Sequence, residues 1–127
     1  MRLRAAAFVL GVLALSLVFA GSAMAAFTPG SPGLGDPFFP LAGNGGYNVS
    51  HYGLVLSYDP GANQLTGTVT IAATATQDLS RFDLDLRGFS ISRLDVDGRA
   101  ATFTRDGQEL IVTPRTGIHS GSAWPCK

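Results

Sequence analysis

The chain has 127 residues, 46% of them hydrophobic and 14% charged, and its nine basic and nine acidic side chains cancel. That balance excludes the strongly basic surface that nucleic acid or an anionic lipid face demands. A single cysteine, Cys126, excludes an intramolecular disulfide, so a folded domain here must rely on its apolar core.

Residues 1–25 read as an export signal. "MRLR" is the basic start, and "AAAFVLGVLALSLVFA" is an apolar run too short for a stable membrane span. Ala23 and Ala25 then supply the small-x-small pattern of a cleavage site. Cleavage after Ala25 is the expectation, with an uncleaved anchor as the alternative. It yields a secreted, extracellular product of about 100 residues, enough for one small domain. Arg2 and Arg4 leave with the signal, so the net charge becomes about −2.

Residues 26–46, "AFTPGSPGLGDPFFPLAGNGG", form a leader of four prolines and six glycines, for which no regular structure is expected. "DPFFP" within it places two apolar rings where a spacer needs none, so Phe38 or Phe39 is expected to dock on a folded body. From Tyr47 the pattern has period two. Tyr52, Leu54, Leu56 and Tyr58 face one way, and His51, Gly53, Val55 and Ser57 the other. "DPGAN" at 59–63 turns the chain into "QLTGTVTIAATAT", rich in β-branched residues. "RFDLDLRG" follows, with Phe82, Leu84 and Leu86 directed inward and Asp83, Asp85 and Arg87 outward. In "FSISRLDVDG" the parity of Phe89 and Ile91 differs from that of Leu94 and Val96, which a bulge near Ser92–Arg93 would reconcile. Two Asp-Gly turns, at 97–98 and 106–107, separate "RAATFTR" and "QELIVTP". Six short strands and no helical period give an all-β fold, a sandwich of antiparallel sheets over residues 47–115.

Chemistry-bearing residues are sparse. His51 and His119 are the only histidines, and their spacing suits no metal site. His51 reads as a surface imidazole, while His119 and Cys126 fall in a C-terminal stretch without alternation. Asp83 and Asp85 share a strand face roughly 7 Å apart. That spacing would suit paired carboxylates or a weak calcium site. Arg81 and Arg87 share the face, so a solvated, charge-balanced surface is the expectation. "GNGG" at 43–46 precedes no helix and so makes no phosphate cradle. "NVS" at 48–50 fits a glycosylation sequon. No catalytic, cofactor-binding or metal residue is assigned.

The run "GDPFFPLAGNGGYNVSHYGLVLSYDPGANQLTGTVTIAATATQDLSRFDLDLRGFSISRLDVDG" resembles the start of the N-terminal β-domain of aminopeptidase N-type zinc metallopeptidases, the gluzincins. More narrowly, it is similar to the secreted forms of high-GC Gram-positive bacteria. Two motif sets carry the resemblance, which covers residues 35–115: the Gly-Asn-Gly-Gly-Tyr leader into a His-Tyr-x-Leu-x-Leu-x-Tyr strand, and the two strands after it. The resemblance implies a saddle-shaped β-sandwich ahead of a thermolysin-like catalytic domain. There His-Glu-x-x-His and a distant Glu hold zinc, and a Gly-x-Met-Glu-Asn segment captures the substrate's amine. None of these motifs occurs in this chain, so no functional residue is carried over and zinc belongs to the full-length family. The implied partners are the catalytic domain and, in the intact enzyme, a peptide substrate, with no nucleic acid and no membrane after signal cleavage. Residues 116–127, ending "HSGSAWPCK", depart from the family pattern and are expected to be an irregular tail of a truncated reading frame. The expected function is a non-catalytic fragment of a secreted zinc aminopeptidase, inactive alone. A stand-alone secreted β-sandwich binding module is the alternative, and a gene remnant without function a third reading.

Overall fold

The computed structural model describes residues 26–127; the export signal expected at 1–25 lies outside the described residues. These residues form nine strands and no helix. They are β1 (Thr28–Pro29), β2 (Tyr47–Asp59), β3 (Gln64–Ala75), β4 (Leu79–Asp85), β5 (Asp95–Val96), β6 (Arg99–Ala100), β7 (Thr102–Asp106), β8 (Glu109–Thr113) and β9 (Ala123–Cys126). One sheet has the order β1-β4-β8-β7 and the other β2-β3-β9-β5-β6. The all-β expectation holds, with one parallel contact added where β1 meets β4.

The core lies between the sheets. Phe82, Leu79, Leu110 and Val112 come from the four-stranded side, and Ile71, Ala73, Ala75, Val96, Trp124 and Cys126 from the other. The Phe82 and Trp124 rings lie 4.5 Å apart, and Tyr47 meets both edge-on at 5.7 and 5.9 Å. Such aromatic geometry adds to simple area burial.

Local chemistry sets the turns. Asp59 Oδ1 accepts hydrogen bonds from the Gly61 and Ala62 amides, and Asn63 takes a positive φ of 48°, which closes the β2–β3 hairpin. Asp97 and Gly98 both have positive φ, as a tight two-residue hairpin between β5 and β6 requires. Ala101 separates β6 from β7, so a single residue carries the chain from one sheet to the other. Its amide is satisfied by the Leu94 carbonyl at 3.0 Å.

Besides the short strand β1 inside the leader, three stretches depart from the sequence expectations for the fold. First, "FSISRLDVDG" is not a bulged strand. Residues 86–94 are irregular, with Gly88 at φ 86°, and only Asp95–Val96 pairs. The Arg105 guanidinium donates to the Leu86 and Phe89 carbonyls, replacing the ladder that this loop lacks. The register shift falls instead at Ser50, where β2 pairs Val49 with Ala73 and His51 with Ala72.

Second, Phe38 and Phe39 are not docked; they are 86% and 68% exposed. The leader is nevertheless tied down through its backbone. Thr28 and Gly30 amides reach Asp78 and Arg81 carbonyls, and the Gly46 carbonyl accepts from Thr76. Gly46 sits at φ 96°, and a Cβ there would come within 2.7 Å of Leu79, so the close approach needs glycine. Phe27 is the leader's aromatic anchor: its ring covers Gly117 and lies 4.8 Å from the His119 ring.

Third, residues 116–127 are not an irregular tail. β9 pairs with β3 on one side and β5 on the other, at the centre of the five-stranded sheet. Pro125 is tolerated there because of where its missing donor falls. The Pro125 carbonyl accepts from Asp97, a turn residue at the end of the ladder.

Candidate functional site

The face of β4 that carries Asp83 and Asp85 was expected to be solvated. Arg81, Asp85 and Arg87 are exposed, but Asp83 is buried. The reason is the leader, which crosses this face. The Gly43 amide donates to Asp85 Oδ2 at 3.2 Å. Tyr47 of β2, whose ring lies in the core, donates its hydroxyl to the Asp83 carbonyl at 2.7 Å. Directly across the ladder from Asp85 stands Glu109, also buried. Gln108 donates to the Leu41 carbonyl at 2.6 Å and fastens the leader from the β8 side.

Sequence reasoning missed the role of Glu109. Its signal was the Asp106–Gly107 hairpin, which counts back across the sheet to Asp85.

Desolvation dominates the electrostatics. Burial pushes the Asp83 carboxyl above the usual carboxylate range, with Arg81 opposing weakly. Burial does the same to Glu109, helped by the negative charge of Asp85 and then Asp83. Asp83 Oδ1 and Glu109 Oε2 find no hydrogen-bond partner. Burial also holds the Tyr47 hydroxyl protonated. Burial thus raises the cost of ionising both carboxyls. The arrangement offers no general base aimed at a substrate space.

The donor set does not fit zinc. His51 is exposed on β2, whereas His119 lies between β8 and β9, its Nδ1 3.5 Å from Asp78 Oδ1. Cys126 is buried in the core, with its thiol pushed up to about 11 by burial and by Asp95, so thiolate is disfavoured. Among the described residues no three His, Cys, Asp or Glu side chains converge as a metal site. A shallow groove is lined by Arg99, Arg115, His119, Ser122 and Trp124. Ser122 and His119 meet there through the Ser122 amide and the His119 carbonyl at 3.0 Å, and among the described residues no hydrogen bond joins the Ser122 hydroxyl to the His119 ring, so the serine is not paired with a base.

What the chain is similar to follows from the architecture. No protein-family model matches it, and no curated protein does. Solved structures do. A two-domain M1 zinc metallopeptidase, a point mutant bound to L-arginine, matches with a TM-score of 0.66 and 33% identity. The match covers 74% of this chain and 22% of that one. The M1 zinc metallopeptidase from Deinococcus radiodurans gives the same values, as does a mutant of it bound to a Tyr-Ser-Ala substrate. The chain carries the N-terminal β-domain of an M1 zinc metallopeptidase. This M1 domain spans only 22% of the length of those relatives. The resemblance read from the leader and first strands is thereby confirmed at the level of fold and family.

Proposed function

We propose that this M1 domain is the non-catalytic leading part of an exported, zinc-dependent aminopeptidase, and that it is inactive by itself. In the intact enzyme its partner is a catalytic metallopeptidase domain, and its work is to wall the cavity in which a peptide's N-terminus is held. The observation that carries this reading is the match at 33% identity over 74% of the chain, to enzymes of which it covers 22%. The relatives solved with L-arginine and with a Tyr-Ser-Ala substrate support a peptide as the ligand of the complete enzyme. The donor chemistry of the chain agrees. Activating water on zinc takes convergent ligands and a carboxylate base near the metal. Here Asp83 and Glu109 are buried, and His51 and His119 lie on separate elements.

The test is an assay of the purified chain on aminoacyl-nitroanilides with and without added Zn²⁺. No turnover above buffer is expected in either case. Metal-dependent hydrolysis that survives purification to homogeneity would overturn the reading. The genomic arm is independent: a reading frame next to this one should encode His-Glu-x-x-His, and unrelated neighbours would favour a stand-alone binding module.

A further inference from the structure

The middle of the leader hangs on two side chains. Among the described residues, two hydrogen bonds tie residues 36–43 to the sheets: Gly43 donates to Asp85 Oδ2 at 3.2 Å, and Gln108 Nε2 donates to the Leu41 carbonyl at 2.6 Å. The other bonds of this stretch are internal, from the Phe38 and Phe39 amides to Asp36 Oδ1 and from the Ala42 amide to the Phe39 carbonyl. Both tethers rest on one row of acids. Strand β8 lies between β4 and β7, and its Glu109 stands directly across from Asp85 on one side and Asp106 on the other. Like charges placed so oppose each other in a sheet. Glu109 is the buried member, 5% exposed with Oε2 unpartnered, whereas Asp85 and Asp106 are exposed. Asp83, two residues back along β4, adds another acid, and the Arg81 charge acts on Asp83. No cation acts on Glu109 itself. Arg87 lies exposed past the end of β4, and the Arg105 guanidinium is engaged with the Leu86 and Phe89 carbonyls. The Tyr47 hydroxyl from β2 is engaged with the Asp83 carbonyl. What eases Glu109 is the Gln108 amide, 3.5 Å from its Oε1, and this same amide holds Leu41.

We propose that this row is a proton-dependent clasp on the leader: while Glu109 carries a proton, segment 41–43 stays fastened, and loss of that proton lets it lift from the sheet. The protonated acid leaves the Gln108 amide to Leu41 and sets no charge against Asp85 or Asp106. The carboxylate draws that amide toward itself, because a charged acceptor binds a donor more strongly than a neutral carbonyl does. It also faces an acid across each ladder. A buried charge calls for water, and the leader is the cover that yields, since two hydrogen bonds hold it where full ladders hold the strands. The hollow that Phe38–Ala42 form beside Gln108 gives water a way in. Burial, and then the Asp85 charge, push the Glu109 carboxyl above its ordinary value. The fastened state is therefore at full strength below an ordinary carboxyl value of about 4 and weakens as pH rises through the raised one. The clasp does not rest on the aminopeptidase reading.

Amide exchange followed by NMR on the purified chain, at about pH 5 and about pH 7.5, tests it. The protection factor of Gly43, which already removes the intrinsic pH dependence of exchange, should fall by about tenfold or more between the two. The Leu110 and Val112 amides of β8 should stay about 100-fold better protected than Gly43 at both pH values, which separates lifting of the leader from unfolding of the domain. In Glu109→Gln the fall at Gly43 should shrink to about twofold or less. The wild-type chain decides the matter even if that variant folds poorly. Its Glu109 carboxyl carbon should titrate with the same midpoint as the loss of Gly43 protection. Protection at Gly43 that is flat with pH would overturn the proposal. So would Gly43 exchanging only as slowly as β8, an equal fall in Glu109→Gln, or a Glu109 midpoint apart from the loss of protection.

Discussion

Asp83 and Glu109 are the residues whose charge the fold handles least comfortably. A carboxyl whose pKa is raised by folding holds its proton more tightly in the folded state. Its contribution to stability is complete below the unfolded value of about 4 and is lost as pH rises through the raised folded values. Both groups are raised, so the melting temperature should fall as pH climbs from about 4 toward 7. Asp83→Asn keeps the shape and removes the charge. It should stabilise the domain by about 1 kcal/mol at pH 7, a rise of roughly 4–8 °C in melting temperature, and do little at pH 4. Thermal melts of both proteins across that range decide the matter, and a destabilised Asp83→Asn at pH 7 would refute the account. The alternation of "RFDLDLR" placed Asp83 on the face of β4 opposite Phe82. It could not reveal that Asp83 is covered, because period two reports which way a side chain points and not what lies above it.

Among the elements, β9 bears a load out of proportion to its four residues. It joins β3 to β5, and Trp124 contacts both Phe82 and Tyr47. Trp124→Ala should cost about 3–5 kcal/mol, a large part of the stability of a domain this size. Urea titration followed by near-ultraviolet dichroism should show a markedly lower midpoint. An unchanged midpoint would mean that the two sheets hold together without this strand. The same strand was the least legible part of the chain. "SAWPCK" is short, is broken by proline, and buries only Trp124 and Cys126, so it offers too few residues for alternation to register. Strands β2 and β3 were plain because they run twelve or thirteen residues with turn residues between them. The 86–94 segment misled in the opposite sense, since its apolar residues imitate a strand while Gly88 and the Arg105 clamp hold it open. Arg105→Ala should therefore speed amide exchange at residues 86–94 by at least tenfold and leave β4 and β8 unaffected; uniform change across all strands would count against a local clamp.

At the scale of the molecule, the sandwich and its family were readable because the leader and first hairpin carry ordered motifs. The site was not readable as chemistry, since what the sequence offered was two separated histidines and acids that the fold conceals. The burial of Cys126 gives this architecture an internal clock. A lone thiol shut between two sheets reacts with a maleimide only during the moments when the sheets part. Its labelling rate at dilute reagent should track global opening and rise steeply with urea, while a Leu56→Cys thiol on the exposed face of the β2–β3 hairpin should label at close to the rate of a free peptide. The ratio of the two rates would then measure how often the whole wall comes apart, with no spectroscopic probe added.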